Sequence, residues 1–260
     1  DAFGFRPIFF IVAGLCTLAG ILIVKFVREE NKPKPDQLDA SSLLSGYAYA
    51  FRSKPIRIAL VVIIISQSSV FMIQPIFALY VESLISQTTL VATLTGGIFS
   101  IAGVFTVLAA PWWGKRNDAK SYKKNLTIAL SGAGVAYAAQ GLVSNPYQLI
   151  FLRAILGFCL GGMLPALYSY ISKHAVLERR GSIMGIAASG NILANMIGPP
   201  AGGYIASHFG LRETFFVTGG MLLVTVLILR SAFIDLRGSE PQGATEKDEA
   251  QPTIAESVNE

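Results

Sequence analysis

Long apolar runs alternate with short basic stretches along this chain. About 20 mostly apolar residues suit a helix that crosses a bilayer. Seven such spans are predicted, at roughly 7–27, 57–81, 91–113, 125–143, 147–172, 181–206 and 213–234. The stretch from Ile58 to Ile65 opens the clearest of them. Two segments fall outside this pattern. Residues 29–56 begin Pro/Lys-rich (Lys32-Pro33-Lys34-Pro35) and then read as a short helix. Ser41 or Ser42 can cap that helix, and Leu43, Leu44, Tyr47 and Phe51 fall on one face. It is expected to lie on the membrane surface or on the underside of the protein. Residues 238–260 are rich in acids, with Lys247 and almost no bulky apolar residues, and read as a disordered tail.

Composition supports the membrane class. Hydrophobic residues make up 52% and charged residues 14%, with a mean hydropathy of +0.54. That is too apolar for an ordinary soluble domain. Cys16 and Cys159 lie in apolar runs as small core residues, and no disulfide framework or metal spacing is present. The net charge of +5 reports topology rather than a nucleic-acid partner. Lys25, Arg28, Lys32, Lys34, Arg52, Lys54 and Arg57 follow the first span. Lys115, Arg116, Lys120, Lys123 and Lys124 follow the third, and Lys173, Arg179 and Arg180 the fifth. The alternate loops hold almost none. The positive-inside rule therefore predicts basic loops and C-terminus in the cytoplasm, with the N-terminal end outside. The chain begins with Asp1 and shows no signal peptide, so its start is expected to be a truncation.

One signature occurs twice. Phe3-Gly4-Phe5-Arg6-x-x-Phe9-Phe10 returns as Phe209-Gly210-Leu211-Arg212-x-x-Phe215-Phe216, each copy leading into a long apolar run. Internal repeats of this kind belong to transporters built from two related halves. The expected layout has four parts: 1–28 as the last helix of a first half, 29–56 as a cytoplasmic linker, 57–237 as a six-helix second half, and 238–260 as a tail.

Three further motifs bear on mechanism. Gly114, Asp118, Lys123 and Lys124 lie between the third and fourth spans. Gly114 permits a tight exit from the membrane. Asp118 can cap a turn or face a helix N-terminus. In the fifth span, Arg153 precedes Gly157 and Gly161, which form a small-xxx-small seam. A charge at that depth faces a cavity or a partner, or snorkels to the interface. The sixth span holds Gly198-Pro199-Pro200-Ala201-Gly202-Gly203, a kinked and closely packed helix that could act as a pliable gate.

These motifs, in this order, resemble the major facilitator superfamily. Gly114, Asp118, Lys123 and Lys124 fit its G-x-x-x-D-x-x-x-x-[RK]-[RK] loop, and Arg153 with Gly157 its R-x-x-x-G pattern. Gly198-Pro199-x-x-Gly202-Gly203 is similar to the antiporter signature, and Pro75-x-x-x-Leu79-Tyr80-Val81-Glu82 to a conserved helix end. Together with the Phe-Gly-x-Arg repeat they resemble the drug:proton antiporter branch. The resemblance covers residues 1 to about 237. It implies an all-α integral membrane fold with seven transmembrane helices, six to twelve of twelve, in a bacterial inner membrane. It further implies efflux of small lipophilic compounds driven by the proton gradient, with no cofactor. The loop at Asp118 would form a cytoplasmic gate by charge pairing with the first half, which is expected to be missing here.

The 16 acids all lie in loops, at span ends or in the tail, so an intramembrane proton site is not expected within this chain. Polar groups inside spans are few. Gln67 and Gln74 are two turns apart on one span, and Asn191 and Asn195 one turn apart on another. Each pair can hydrogen-bond between helices or face a central cavity, with Phe71 and Met72 nearby and Arg153 as a further lining residue. Aromatic, Met and amide linings suit amphipathic cations or neutral drugs. A sugar or metabolite carrier of the same fold is the alternative. A seven-helix receptor would not predict the repeat. A retinal protein would need a lysine within a late span, and no lysine lies between Lys173 and Lys247. No enzyme motif is present.

Overall fold

The computed structural model describes residues 6–26, 40–85, 91–119, 122–176 and 179–237. Among the described residues the chain is helical, without strands. The helices are α1 (Arg6–Phe26), α2 (Ala40–Arg52), α3 (Lys54–Met72), α4 (Phe77–Leu84), α5 (Val91–Ala119), α6 (Tyr122–Gln140), α7 (Pro146–His174), α8 (Arg180–Phe209) and α9 (Leu211–Arg237). Five stretches are long and apolar enough to cross a membrane: Phe9–Phe26, Lys54–Met72, Val91–Asn117, Pro146–His174 and Leu211–Ser231. The expected spans at 125–143 and 181–206 are also helical but less apolar, because Ala, Gly, Ser and Asn take many of their positions. The Pro/Lys-rich part of the linker, the acidic tail and Phe3 to Phe5 lie outside the described residues.

The bundle is inside-out relative to a soluble protein. Large apolar side chains such as Val107, Leu108, Phe151, Ile192 and Leu227 are exposed. Ser66, Ser69, Thr214, Thr218 and Thr225 are buried. Ser69 and Thr225 donate to carbonyls one turn back, at 2.7 and 2.8 Å, so these hydroxyls stay satisfied without water. Between helices in lipid there is little hydrophobic drive, and close packing of small residues takes its place.

Three glycine seams set the register. A Cβ on Gly157 would strike the carbonyl of Ala102, and one on Gly161 would lie 2.7 Å from that of Thr106. Thus α7 runs parallel to α5. Gly198 lies against Ser68 and Phe71, and Gly202 against Met72, so α8 runs parallel to α3. Gly134 meets Gly219 and Leu223, while Gly141 meets Arg212 and Phe216, so α9 runs antiparallel to α6. Helix α7 also packs along α6, and α9 along α3, which closes the bundle.

The second expected span is not continuous. Residues 73–76 form a turn between α3 and α4, where Pro75 has no N–H to continue the ladder. Gln74 N–H instead bonds to Phe71 at 3.3 Å, and Phe77 N–H to Ile73 at 3.0 Å. Conversely, α8 runs from Arg180 to Phe209 through both Pro199 and Pro200. Gly114 does not interrupt its helix either: α5 continues through it to Ala119, and a Cβ there would meet open space.

The second copy of the repeated signature fastens one end of the bundle. Gly210, at φ +111°, makes the turn into α9. Arg212 reaches the Val143 carbonyl at 3.5 Å, and Phe215 packs 4.5 Å from the Tyr80 ring. Tyr80 in turn donates to the Gln140 carbonyl at 2.5 Å. Helix α2 docks through small residues. Gly46 and Ala50 are buried, with Gly46 against Ser182, while Tyr47 and Phe51 face outward. The face that packs is therefore the small one, and Tyr47 and Phe51 point away from the bundle. In α1, all side chains from Phe9 to Phe26 are exposed.

The seam at Gly202 gives a clean comparison. Gly202→Ala puts a methyl onto the Met72 carbonyl and should destabilise by about 1–3 kcal/mol. Gly203→Ala projects into open space and should be neutral or stabilising by up to about 1 kcal/mol, from helix propensity. Thermal unfolding of the two variants in detergent should separate them in that order.

Candidate functional site

A cavity of about 300 Å³ opens between α3, α5, α6 and α7. Val70, Ile73, Phe99 and Leu160 supply apolar wall, while Gln74, Ser100, Thr106, Tyr137 and Arg153 supply polar groups. Two of the hydroxyls are already engaged. Ser100 donates to Gly96 at 2.7 Å, and Thr106 lies 2.7 Å from the Ala102 carbonyl and 3.0 Å from that of Gly157. No lining residue is acidic.

Arg153 dominates this cavity. Only 3% of it is exposed, so it does not snorkel to an interface. Its guanidinium carbon sits 3.7 Å from the centroid of the Phe77 ring and 5.4 Å from that of Phe99. The two rings are tilted against each other at 5.5 Å. A desolvated cation over aromatic faces gains about 2 kcal/mol. The Nε and Nη2 atoms have no hydrogen-bond partner within the chain. The site is thus a buried cation on an aromatic platform with donors to spare.

The other expected lining residues divide. Gln74 lines the same cavity as Arg153. Gln67 does not: its Nε2 donates to Asn191 Oδ1 at 2.7 Å, across the seam of α3 and α8. Gln74 lies past the end of α3 at Met72, in the turn before α4. Phe71 lies against Gly198 on that same seam, and Asn195 is exposed on α8. Phe77, Phe99, Thr106 and Tyr137 were not singled out from the sequence. An aromatic near a cavity has the same local pattern as one in a core. Only the depth of Arg153, which needs a partner face, hinted at them.

The basic motif is organised by amides. Asn125 on α6 donates to Asn117 Oδ1 at 2.9 Å and to the Arg116 carbonyl at 3.0 Å, and Arg116 Nε returns a bond to Asn125 Oδ1 at 3.3 Å. The Arg116 guanidinium carbon lies 4.9 Å from the centroid of a Trp112 ring. Asp118 belongs to the last turn of α5, its side chain lying outside the described residues, and Lys124 is exposed at the start of α6. Among the described residues no cluster of His, Cys, Asp or Glu could hold a metal.

Apolar helices that bury their hydroxyls around a mostly apolar cavity holding a buried arginine define a multi-pass helical membrane protein. Comparison with known proteins specifies it. The family model of the Major Facilitator Superfamily matches residues 1–139 and 78–258, and the chain belongs to that family of transporters. It is 31% identical over 225 residues to multidrug resistance protein MdtG of Rahnella sp. (strain Y9602), covering 86% of this chain and 54% of that protein. It is 30% identical over 230 residues to the uncharacterized MFS-type transporter YuxJ of Bacillus subtilis (strain 168), covering 88% and 58%. To MdtG of Dickeya zeae (strain Ech586) it is 36% identical over 158 residues, covering 60% and 38%. The chain thus spans about half the length of the curated relatives it matches.

Gln67 and Asn191 offer a test of the α3–α8 seam. Replacing either by Leu leaves the other amide unpaired, and replacing both removes the mismatch. A double-mutant cycle read by unfolding in mixed micelles should give a coupling of about 0.6–1.7 kcal/mol.

Proposed function

We propose that this chain forms the second half, and the last helix of the first half, of a secondary transporter that exports small amphipathic compounds in exchange for protons. The observation that carries this reading is the cavity at Arg153, enclosed by a bundle whose family consists of transporters and whose relatives include multidrug resistance proteins. In this reading α1, α3 with α4, and α5 to α9 make seven spans of a twelve-helix fold. Residues 29–56 link the halves on the cytoplasmic side, 57–237 form the second half, and 238–260 trail into the cytoplasm of a bacterial cell. The alternation of parallel and antiparallel neighbours supports it. Helices α3 and α8 run one way and α5 and α7 share a direction, as successive crossings require.

Alternating access would rock this half against the other around the cavity. The turn at 73–76 and the glycine seam of α8 provide places where the backbone can shift. Gly114 and Asp118 at the end of α5, with Lys123 and Lys124 at the start of α6, form the gate side in this reading. The proton site belongs to the other half, because no carboxylate lies among the cavity residues here.

Dye efflux provides the test. Cells lacking their own efflux pumps should not extrude ethidium when they produce this chain alone. They should do so when the chain is joined to the preceding helices of an MdtG relative, and a protonophore should abolish the effect. Extrusion by the 260-residue chain alone would refute the two-halves reading. A well-inserted joined protein that extrudes none of a drug panel would refute the exporter reading.

A further inference from the structure

Helix α2 has three faces rather than two. Gly46 and Ala50 are buried, and a Cβ on Gly46 would strike the Ser182 side chain and touch Ile186 of α8. Tyr47 and Phe51 lie about 100° further round the helix. They are 43% and 61% exposed. Ala48 and Arg52 lie about 100° beyond the aromatics, and both are exposed. The surroundings are basic. Arg52, Lys54, Arg57, Arg179 and Arg180 are all exposed. Arg57 donates to the Phe51 carbonyl at 3.2 Å, and the Arg179 guanidinium carbon lies 5.8 Å from the centroid of the Tyr49 ring, so both cations sit beside α2. The described stretches 40–57 and 179–186 contain no Asp or Glu, and the adjoining Asp39 and Glu178 lie outside the described residues. The docking site also fixes a depth. Helix α8 has 30 residues. It is therefore about 45 Å long, against about 30 Å of hydrocarbon in a bilayer. Ser182 and Ile186 fall in its first two turns, so α2 is held at the level of the headgroups.

We propose that α2 is an interfacial anchor that binds anionic phospholipid. Tyr47 and Phe51 enter the boundary between headgroups and acyl chains, and Arg52, with Arg179 and Arg180, holds the phosphate groups. An aromatic face beside a basic one at this depth is the pattern of helices that lie in a membrane interface. Charge complementarity selects the occupant. A protein surface laid over α2 would need a set of carboxylates to match five exposed cations. An anionic leaflet supplies the negative charge and the apolar phase together. The proposal goes beyond the transport reading and does not depend on it.

Native mass spectrometry of the full chain, released from mixed micelles, reads the affinity for single lipids. Dioleoylphosphatidylglycerol should bind at least about fivefold tighter than dioleoylphosphatidylcholine. Glycerol 3-phosphate, which carries the charge without the chains, should not compete even in large excess. Arg52→Gln combined with Arg180→Gln should lower the phosphatidylglycerol affinity about tenfold or more and leave phosphatidylcholine within about twofold. Tyr47→Ser combined with Phe51→Ser should weaken both lipids at least about fivefold. Lys115→Gln, a basic residue at the end of α5, should stay within about twofold of the unaltered chain. Equal affinities for the two lipids, competition by glycerol 3-phosphate, or an arginine pair without effect would overturn the proposal. So would an effect of Lys115→Gln as large as that of the arginine pair. The preference should persist in the chain joined to the preceding helices of an MdtG relative. Its loss there would mean that the first half covers α2, and would also overturn the proposal. If a variant does not fold, the two lipids and glycerol 3-phosphate on the unaltered chain still decide. None of these outcomes bears on the exporter reading, which dye efflux tests separately.

Discussion

Backbone contact between α7 and α5 at Gly157 and Gly161 is the constraint on which the cavity depends. In a lipid phase apolar side chains gain little by leaving their surroundings, so helices associate through close van der Waals contact. The Ala102 and Thr106 carbonyls lie where a side chain on α7 would otherwise stand. Thr106 then bonds the Gly157 carbonyl, tying the two backbones together. Arg153 is one turn before Gly157, and Ala102, Gly103 and Thr106 line the cavity it enters. Any side chain at Gly157 would push α5 outward and change both the volume of the cavity and the position of the cation.

The same seam explains how a charge is tolerated at that depth. An arginine at the centre of a membrane helix costs about 3 kcal/mol on insertion scales, and Arg153 lies midway between the start of α7 and its centre. Stacking on Phe77 and Phe99 offsets about 2 kcal/mol or more of such a cost for Arg153. Its platform is Phe77, the first residue of α4, immediately after the turn at 73–76. Arg153 therefore stacks on the residue that follows the break in the second span.

The helices were legible in the sequence because apolar length is a coarse property that needs no partner. Glycine spacing was legible too, since Gly157 and Gly161 one turn apart have few uses other than close packing. Partners were not legible. Gln67 pairs with Asn191 while Gln74 lines the cavity. Pro199 and Pro200 lie inside α8, which runs on through them. In α2, Gly46 and Ala50 carry the contact and the aromatics face outward. Pairings such as Gln67 with Asn191, or Asn125 with Asn117, join positions far apart in the chain or across a turn. No local pattern encodes them.

The two copies of the repeated signature behave differently, and the difference is informative. In the second copy Phe215 is buried against Tyr80, and Arg212 holds the loop that follows α6. In the first, Phe9 and Phe10 are 74% and 78% exposed, on a helix that none of the other described elements covers. Under the proposed reading of two related halves, the first copy would meet another tyrosine-bearing helix end and another loop carbonyl, arranged as Tyr80 and Val143 are here. The same reading gives α1, mostly apolar between Arg6 and Lys25, a neighbour on one side and lipid on the other.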